Sequence, residues 1–436
     1  MKLLKDSIVR INTLSHLEMY GYDLLDIAHK VEGPFYLYFM SAIEERYRTL
    51  KEHLPENVDI FYAVKANPAK EILSLFKTLK SGIDISSGGE FFRCMSAGIL
   101  PEKISFSGPG KSNKELSEAI INRVFAISVE SYREVEKILE IAKSTALTTN
   151  IMLRINPTRK PERFLLKMGG IPSPFGIDEE AAPEMIKMIK RHDLLNLRGI
   201  HVYNGTQCLD ARAIIENITD TIEIAKRLFL HEGMELKHIN LGGGFGVPYY
   251  EGDRELKLEE VCNGVKKIIT YAQKTSPSLK NTQFILELGR FLVAQSGVYV
   301  AKIRDIKVSR GKKFVILDGG MNHHLAASGN LGQVLRRNSI MYPLKIRETN
   351  ELESVNIVGP LCTPIDRIAT DILLPELRIG DFIGILNSGA YGVTASPLLF
   401  LSHNLPSEVF VTDNEIKVIK PSNGIQYEEY TMSSSV

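Results

Sequence analysis

The stretch Asp59-Ile60-Phe61-Tyr62-Ala63-Val64-Lys65-Ala66 is apolar from Ile60 to Val64 and then places a lysine at its end. Ala69–Lys80 follows, with apolar residues at three- and four-residue intervals, the spacing of one helix face. This couplet returns along the chain. Strand-like runs occupy Asp59–Ala66, Gly82–Ser87, Ile104–Gly108, Val124–Val129, Asn150–Asn156, Leu197–Tyr203, His238–Gly244 and Gln283–Arg290, with helical stretches such as Ser131–Ser144 and Ala211–Leu230 between them. Continuous apolar strands alternating with amphipathic helices predict a parallel sheet covered by helices. Eight such units match a (β/α)₈ barrel, whose usual length is about 250 residues. A doubly wound sheet is the alternative, but it more often has fewer strands.

Outward from the barrel, Phe35–Met40 reads as one more strand, and Ser41 with Glu44 reads as a capping box opening a helix. After Arg290 the texture changes. Gly297–Ser309, Lys313–Gly319, Ser354–Leu361, Asp381–Leu386, Glu408–Asp413 and Glu415–Ile419 are strand-like and separated by turn residues. The expected fold class is α/β: a TIM barrel over residues 35–290, and a mostly β domain (sandwich or barrel) over 291–436, joined by residues 1–34. The tail Met432–Val436 is expected to fray.

Composition narrows the function. The 436 residues carry 53 basic and 52 acidic side chains, so no basic excess points to nucleic acid. Asp6, Arg10, His16 and Glu18 interrupt any apolar leader, and no run is long enough for a membrane helix. The 4 cysteines lie far apart without a Cys-x-x-Cys pair, which argues against a disulfide framework or a cysteine zinc site. A soluble cytoplasmic protein is expected.

Barrel enzymes keep their chemistry at the C-terminal ends of the strands. At the first of these, Lys65 has two readings: a lysine whose head snorkels out of the barrel mouth, or an amine of lowered pKa that forms a Schiff base. The seventh ends in Leu241-Gly242-Gly243-Gly244-Phe245-Gly246, a structural turn or a phosphate loop. The sixth ends in His201-Val202-Tyr203, where a histidine can stack on a flat ring. The eighth ends in Glu287-Leu288-Gly289-Arg290, a plain ion pair or a carboxylate for a ring nitrogen. An amine, a phosphate cradle, a stacking ring and that carboxylate together suit pyridoxal 5′-phosphate. A metal role is set aside, because the adjacent His323-His324 do not share a helix face and have no evident third ligand.

With those residues in view the chain resembles the barrel-fold (type III) pyridoxal-phosphate-dependent decarboxylases of diaminopimelate, ornithine and arginine. The shared motifs are Tyr62–Asn67, Ser87-Gly88-Gly89-Glu90, His201–Gln207, Gly242–Gly246, Glu287–Arg290, Gly359-Pro360-Leu361-Cys362 and Gly389-Ala390-Tyr391-Gly392, in family order over roughly residues 30–410. The resemblance implies that Lys65 carries the Schiff base, His201 stacks on the ring and Glu287 binds its nitrogen. Gly243, Gly244, Gly289, Arg290 and Tyr391 would surround the phosphate. Cys362 would be the acid that protonates the carbanion. Arg290, Thr363 and Asp366 would meet the substrate. It also implies a homodimer with shared sites, Cys362 and Tyr391 coming from the partner subunit.

Thr363 departs from the pattern, since relatives acting on diaminopimelate or ornithine place an acidic residue there, facing the substrate's distal ammonium. A neutral hydroxyl cannot supply that charge-assisted bond. The segment Asp318–Asn330 also replaces the Arg- and Tyr-bearing one used for a distal carboxylate. Both features lean toward a branch that includes the glutamyl–acyl-carrier-protein decarboxylase of butirosin (antibiotic) biosynthesis and the exosortase-associated decarboxylases. A carrier-bound aminoacyl thioester has no free distal charge. Arg336-Arg337, with Arg310, Lys312 and Lys313, would meet an acidic carrier or its phosphopantetheine, or else form a solvated basic surface. The alternatives are a diaminopimelate decarboxylase, an amino-acid racemase, which leaves Cys362 unexplained, and a catalytically silent homologue that binds a regulatory partner.

Overall fold

The computed structural model describes residues 9–160, 163–229, 236–331, 333, 336–347, 351–413 and 415–421. The expected frayed tail and the chain's first eight residues lie outside the described residues. Eight parallel strands close on themselves: Val58–Ala63, Gly82–Ile85, Ile104–Phe106, Ala126–Val129, Thr149–Asn156, Leu195–Val202, His238–Gly243 and Gln283–Leu288, the last pairing back onto the first. Helices such as Lys70–Thr78, Tyr132–Thr145 and Ala211–Phe229 cover the outside, each burying its apolar stripe on the strands. This is a closed barrel with no sheet edge left in the ring.

The second domain is a mixed sheet with strand order Arg367–Leu374, Glu353–Val358, Lys312–Leu317, Gly297–Ser309, Phe35–Phe39, Ser407–Val411 and Ile416–Ile419. Met341–Pro343 and Phe382–Ile385 attach to it through Gly297–Ser309. Residues 9–34 add a small three-stranded sheet, whose Leu17 and Met19 share a core with Leu37, Val298, Tyr342 and Val409.

Two sequence expectations need correction here. The barrel does not begin at residue 35, because Phe35–Phe39 pairs antiparallel with Gly297–Ser309 and parallel with Ser407–Val411. All five of its residues are buried, so this strand is an interior member of the second sheet. Ser41 is not a cap. The helix Met40–His53 starts directly from the strand, with Phe39 at the cap position and no side-chain cap bond. Ser41 already lies in the first turn, and Glu44 pairs with Arg48 instead.

Within the second domain, His323 and His324 are almost fully buried. His324 Nε2 lies 2.9 Å from Ser388 Oγ, and His323 Nε2 lies 2.8 Å from the Asn404 carbonyl. Burial pushes the His324 imidazole down to about 3. The folded state therefore holds it neutral, while the unfolded chain takes up a proton near the ordinary value of ~6.5. Stability from this group is full above that value and is lost as pH falls through it. Between pH 7 and pH 5 the loss from His324 should be about 2 kcal/mol. Urea unfolding at the two pH values should show this acid sensitivity reduced by that amount in His324→Gln.

Candidate active site

The first barrel strand delivers Lys65 on a short 3₁₀ turn, Val64–Ala66. Tyr62 anchors that strand end. Its ring stacks on Phe76 at 3.9 Å, and its hydroxyl donates to the Asn67 carbonyl at 2.8 Å. The second domain clamps the same turn: Tyr391 N donates to the Ala66 carbonyl (2.8 Å), and Asn67 Nδ2 donates to the Gly389 carbonyl (3.1 Å). Lys65 is thus gripped from both domains.

Lys65 Nζ lies 3.6 Å from Glu287 Oε1 and 5.2 Å from the centre of the Tyr203 ring. Glu287 is 3% exposed, a costly place for an unpaired carboxylate. Burial pushes its pKa up, yet His201 and Lys65 pull harder and leave it well below the usual carboxylate range. Asn240 Nδ2 donates to Glu287 Oε2 at 3.3 Å, while Asn240 Oδ1 accepts from Gly242 N at 2.9 Å. His201 Nδ1 lies 3.1 Å from Ser128 Oγ, and burial is the main cause of its lowered pKa. Its Nε2 is 3.2 Å from Glu287 Oε2 but lies off hydrogen-bond geometry.

One expectation about Lys65 is reversed. Burial does pull its ammonium down, but Glu287, Tyr203 and Asp84 more than offset it, and the amine is held above the ordinary lysine range. An anion 3.6 Å away outweighs the desolvation of this part-exposed amine. Asp84, at the end of the second barrel strand, is 1% exposed, bonded through Oδ2 to Ser107, and without a partner at Oδ1. Asp84 and Asn240 are site residues that sequence reasoning missed. Each is a polar residue inside an otherwise apolar strand, the same signal that exposed Lys65.

Lys65, Tyr203, Thr206, Gly244, Glu287, Gly289, Arg290 and Tyr391 line one cleft at the C-terminal face of the barrel. Arg290 Nη1 donates to Tyr249 Oη at 2.9 Å, and the guanidinium sits 4.6 Å from the centre of the Tyr391 ring. Tyr391 therefore belongs to its own chain's cleft, not to a partner's as the resemblance implied. Its left-handed backbone (φ 55°) is a conformation a bulky residue rarely adopts, and such strain concentrates at functional sites. Gly243 lies at the end of the seventh strand, where it pairs with Glu287. A Cβ there would stand 1.9 Å from the Glu287 carbonyl, so glycine is required by the contact between strands. Gly244 has φ +80° and a Cβ there would meet the Gly205 carbonyl at 2.2 Å. A wider cleft, lined by Lys51, Asp59, Lys80 and Lys103, opens at the opposite end of the first strand, away from the face where barrels carry chemistry.

Cys362 and Thr363 lie elsewhere, on the loop from Gly359 to Arg367. Cys362 is exposed and is not among the residues lining the Lys65 cleft. Asp366, expected at the substrate, is 3% exposed and spent on backbone. It accepts from Met321 N at 2.7 Å and Leu361 N at 2.9 Å. Gly320 and Gly359 leave room for it, since a Cβ on either would come within 2.3 Å of its carboxylate. Asp366 is a clamp that shapes the Cys362 loop.

Arg290 Nε and His201 Nε2 are buried polar atoms of this site without hydrogen-bond partners, and such groups are nearly always satisfied in native proteins. A cofactor bearing an anion and a polar aromatic ring answers both, so the residues present fit pyridoxal phosphate. The family model "Pyridoxal-dependent decarboxylase, pyridoxal binding domain" matches residues 40–294. The chain belongs to the pyridoxal-dependent decarboxylases. L-glutamyl-[BtrI acyl-carrier protein] decarboxylase of Niallia circulans is 37% identical over 401 residues, 91% of this chain and 93% of the relative. The diaminopimelate decarboxylase of Helicobacter pylori is 34% identical over 410 residues, 94% and 97% of the two chains. The crystal structure of the diaminopimelate decarboxylase from Methanocaldococcus jannaschii superposes with a TM-score of 0.85 at 28% identity, over 95% of this chain and 94% of that one. This decarboxylase is accordingly a pyridoxal-phosphate-dependent carboxy-lyase acting on an amino acid or aminoacyl group.

Lys65→Ala should remove both the visible absorption of the protein-bound Schiff base and carbon dioxide release. Covalent cofactor retained in that variant, read by absorbance after borohydride treatment, would place the attachment at another lysine.

Proposed function

We propose that this decarboxylase acts on an aminoacyl group carried as a thioester, such as a glutamyl group on a carrier protein, and works as a homodimer with shared sites. The observation that carries the substrate reading is the Cys362 loop. Thr363 follows the cysteine, and the one carboxylate between Gly359 and Arg367, Asp366, is buried on backbone N–H groups. The loop presents no free anion to a substrate's distal ammonium. The similarity to a decarboxylase named for a carrier-bound glutamyl substrate supports the same reading.

Pyridoxal phosphate supplies the electron sink for the charge left on Cα when carbon dioxide departs. Lys65, His201, Glu287, Arg290, Gly289, Gly244 and Tyr391 are the residues that would hold it: Lys65 as the amine for a Schiff base, Glu287 as the carboxylate for the ring nitrogen, His201 as the partner of the ring, and Arg290, Gly289, Gly244 and Tyr391 for the phosphate. The chain's own residues prepare this. Glu287, held ionised beside Lys65, would keep a proton on a ring nitrogen placed beside it. Asn240 fixes the carboxylate's orientation and ties it to Gly242. Tyr391 and Asn67 hold the Lys65 turn in place. Cys362 would return the proton to Cα. Its exposure, and its absence from its own chain's cleft, support donation into a second copy's site.

Among the described residues no helix is long and apolar enough to cross a membrane. All four cysteines are free, three of them buried, which supports a reducing, cytoplasmic setting.

Carbon dioxide release by the purified holoenzyme tests the substrate. Free meso-diaminopimelate, lysine, ornithine, arginine and glutamate should be poor substrates beside glutamyl thioesters of pantetheine or a carrier protein. Efficient turnover of a free dibasic amino acid would restore a diaminopimelate- or ornithine-type enzyme. Shared sites have their own test. Lys65→Ala and Cys362→Ala, each nearly inactive, should recover about a quarter of the activity when mixed and allowed to exchange, since half the dimers then hold one intact site of two. No recovery would place both residues in one chain's site.

A further inference from the structure

A chain of contacts leads from the cleft to the rim of the molecule. Arg290 in the cleft bonds Tyr249, whose ring lies 6.3 Å from that of Tyr250. Tyr250 Oη accepts from Gln333 Nε2 at 2.6 Å, and Gln333 Oε1 accepts from Arg337 N at 3.1 Å. The two arginines at the end of this route differ. Arg337 is spent: it pairs with Asp253 at 2.9 Å and lies 4.2 Å from the centre of the Tyr250 ring. Arg336 is exposed, and its Nη2 donates to a neutral amide oxygen, that of Asn330, at 3.3 Å. Among the described residues no carboxylate pairs with it.

Arg336 is nevertheless positioned. Its stem passes over Gly329, where a Cβ would come within 3.4 Å of both Cγ and Nε. Asn330, which receives its guanidinium, donates through Nδ2 to Ser328 Oγ (2.8 Å) and to the Ile365 carbonyl (3.2 Å), three residues beyond Cys362. Arg336 thus stands between the route to the cleft and the loop that carries Cys362. The other basic residues of the expected cluster are partly neutralised, with Lys312 paired to Asp371 and Lys313 to Glu353.

A guanidinium on a held stem, with donors open and no carboxylate against it among the described residues, repels a distal ammonium and favours an oxyanion such as the phosphate of a phosphodiester. We propose that Arg336 binds the phosphate of the phosphopantetheine arm on which the substrate is delivered. This inference rests on the carrier-thioester reading and names the residue that would distinguish a phosphorylated arm from a bare one.

The experiment compares glutamyl thioesters of 4′-phosphopantetheine and of pantetheine as substrates of the holoenzyme. Wild type should prefer the phosphorylated thioester by roughly tenfold in kcat/KM, expressed in KM, the effect of one charge-assisted contact. Arg336→Ala should erase the preference, and Arg336→Lys should keep part of it. The wild-type preference should shrink with added salt. If thioesters turn over but wild type shows no phosphate preference, or Arg336→Ala keeps it, Arg336 is not the phosphate contact and the carrier reading survives. If neither thioester reacts, the carrier reading fails and this inference falls with it.

Discussion

The arrangement depends on one buried carboxylate. Glu287 sits on the last barrel strand in an apolar interior, where an unpaired anion would be expensive. It is tolerated because other strand ends supply partners, Lys65 from the first and Asn240 from the seventh, with the His201 imidazole of the sixth 3.2 Å away. That requirement explains why side chains distant in sequence are held in one place. It also explains why Lys65 is kept charged, against what burial alone would do. A buried carboxylate and a part-exposed ammonium set each other's protonation, and a ring nitrogen placed beside Glu287 would meet a site already biased toward a proton.

The second domain contributes to the same floor. Its Gly389–Tyr391 turn bonds the backbone of the Lys65 turn at two points, and Tyr391 lies against Arg290. The interface between domains is therefore part of the candidate cofactor site and not a hinge beside it. The Cys362 loop follows a different logic. Its shape is fixed by Asp366 accepting from two separate stretches of backbone, with Gly320 and Gly359 making room. A carboxylate used in this way is unavailable to substrate. The loop therefore displays a thiol and a neutral hydroxyl.

Much of this was legible in the chain. The alternation of apolar runs and helical spacing marked the eight barrel strands because burial on both faces demands continuous apolarity. Lys65, His201 and Glu287 stood out because each breaks that apolarity at a strand end. Asp84 and Asn240 break it too, but a short polar residue within a strand is often a satisfied core group, and nothing local marked these two. Phe35–Phe39 was misassigned for a related reason. Five apolar residues look alike in a barrel and in the middle of a mixed sheet, and only the pairing partners, far along the chain at Gly297–Val300 and Ser407–Val411, tell them apart.

By itself the sequence determined the fold class, the family and the chemical kit, because these depend on periodicity and on residue types at strand ends. Only the tertiary structure decided which groups neutralise one another. It turned Asp366 from a ligand into a clamp, returned Tyr391 to its own chain's cleft, and separated Arg337, paired with Asp253, from Arg336, against which no carboxylate stands among the described residues. The reason is physical: the energy of a charge or a polar atom is set by what lies within a few ångströms in space, and the neighbours that matter here come from distant parts of the chain.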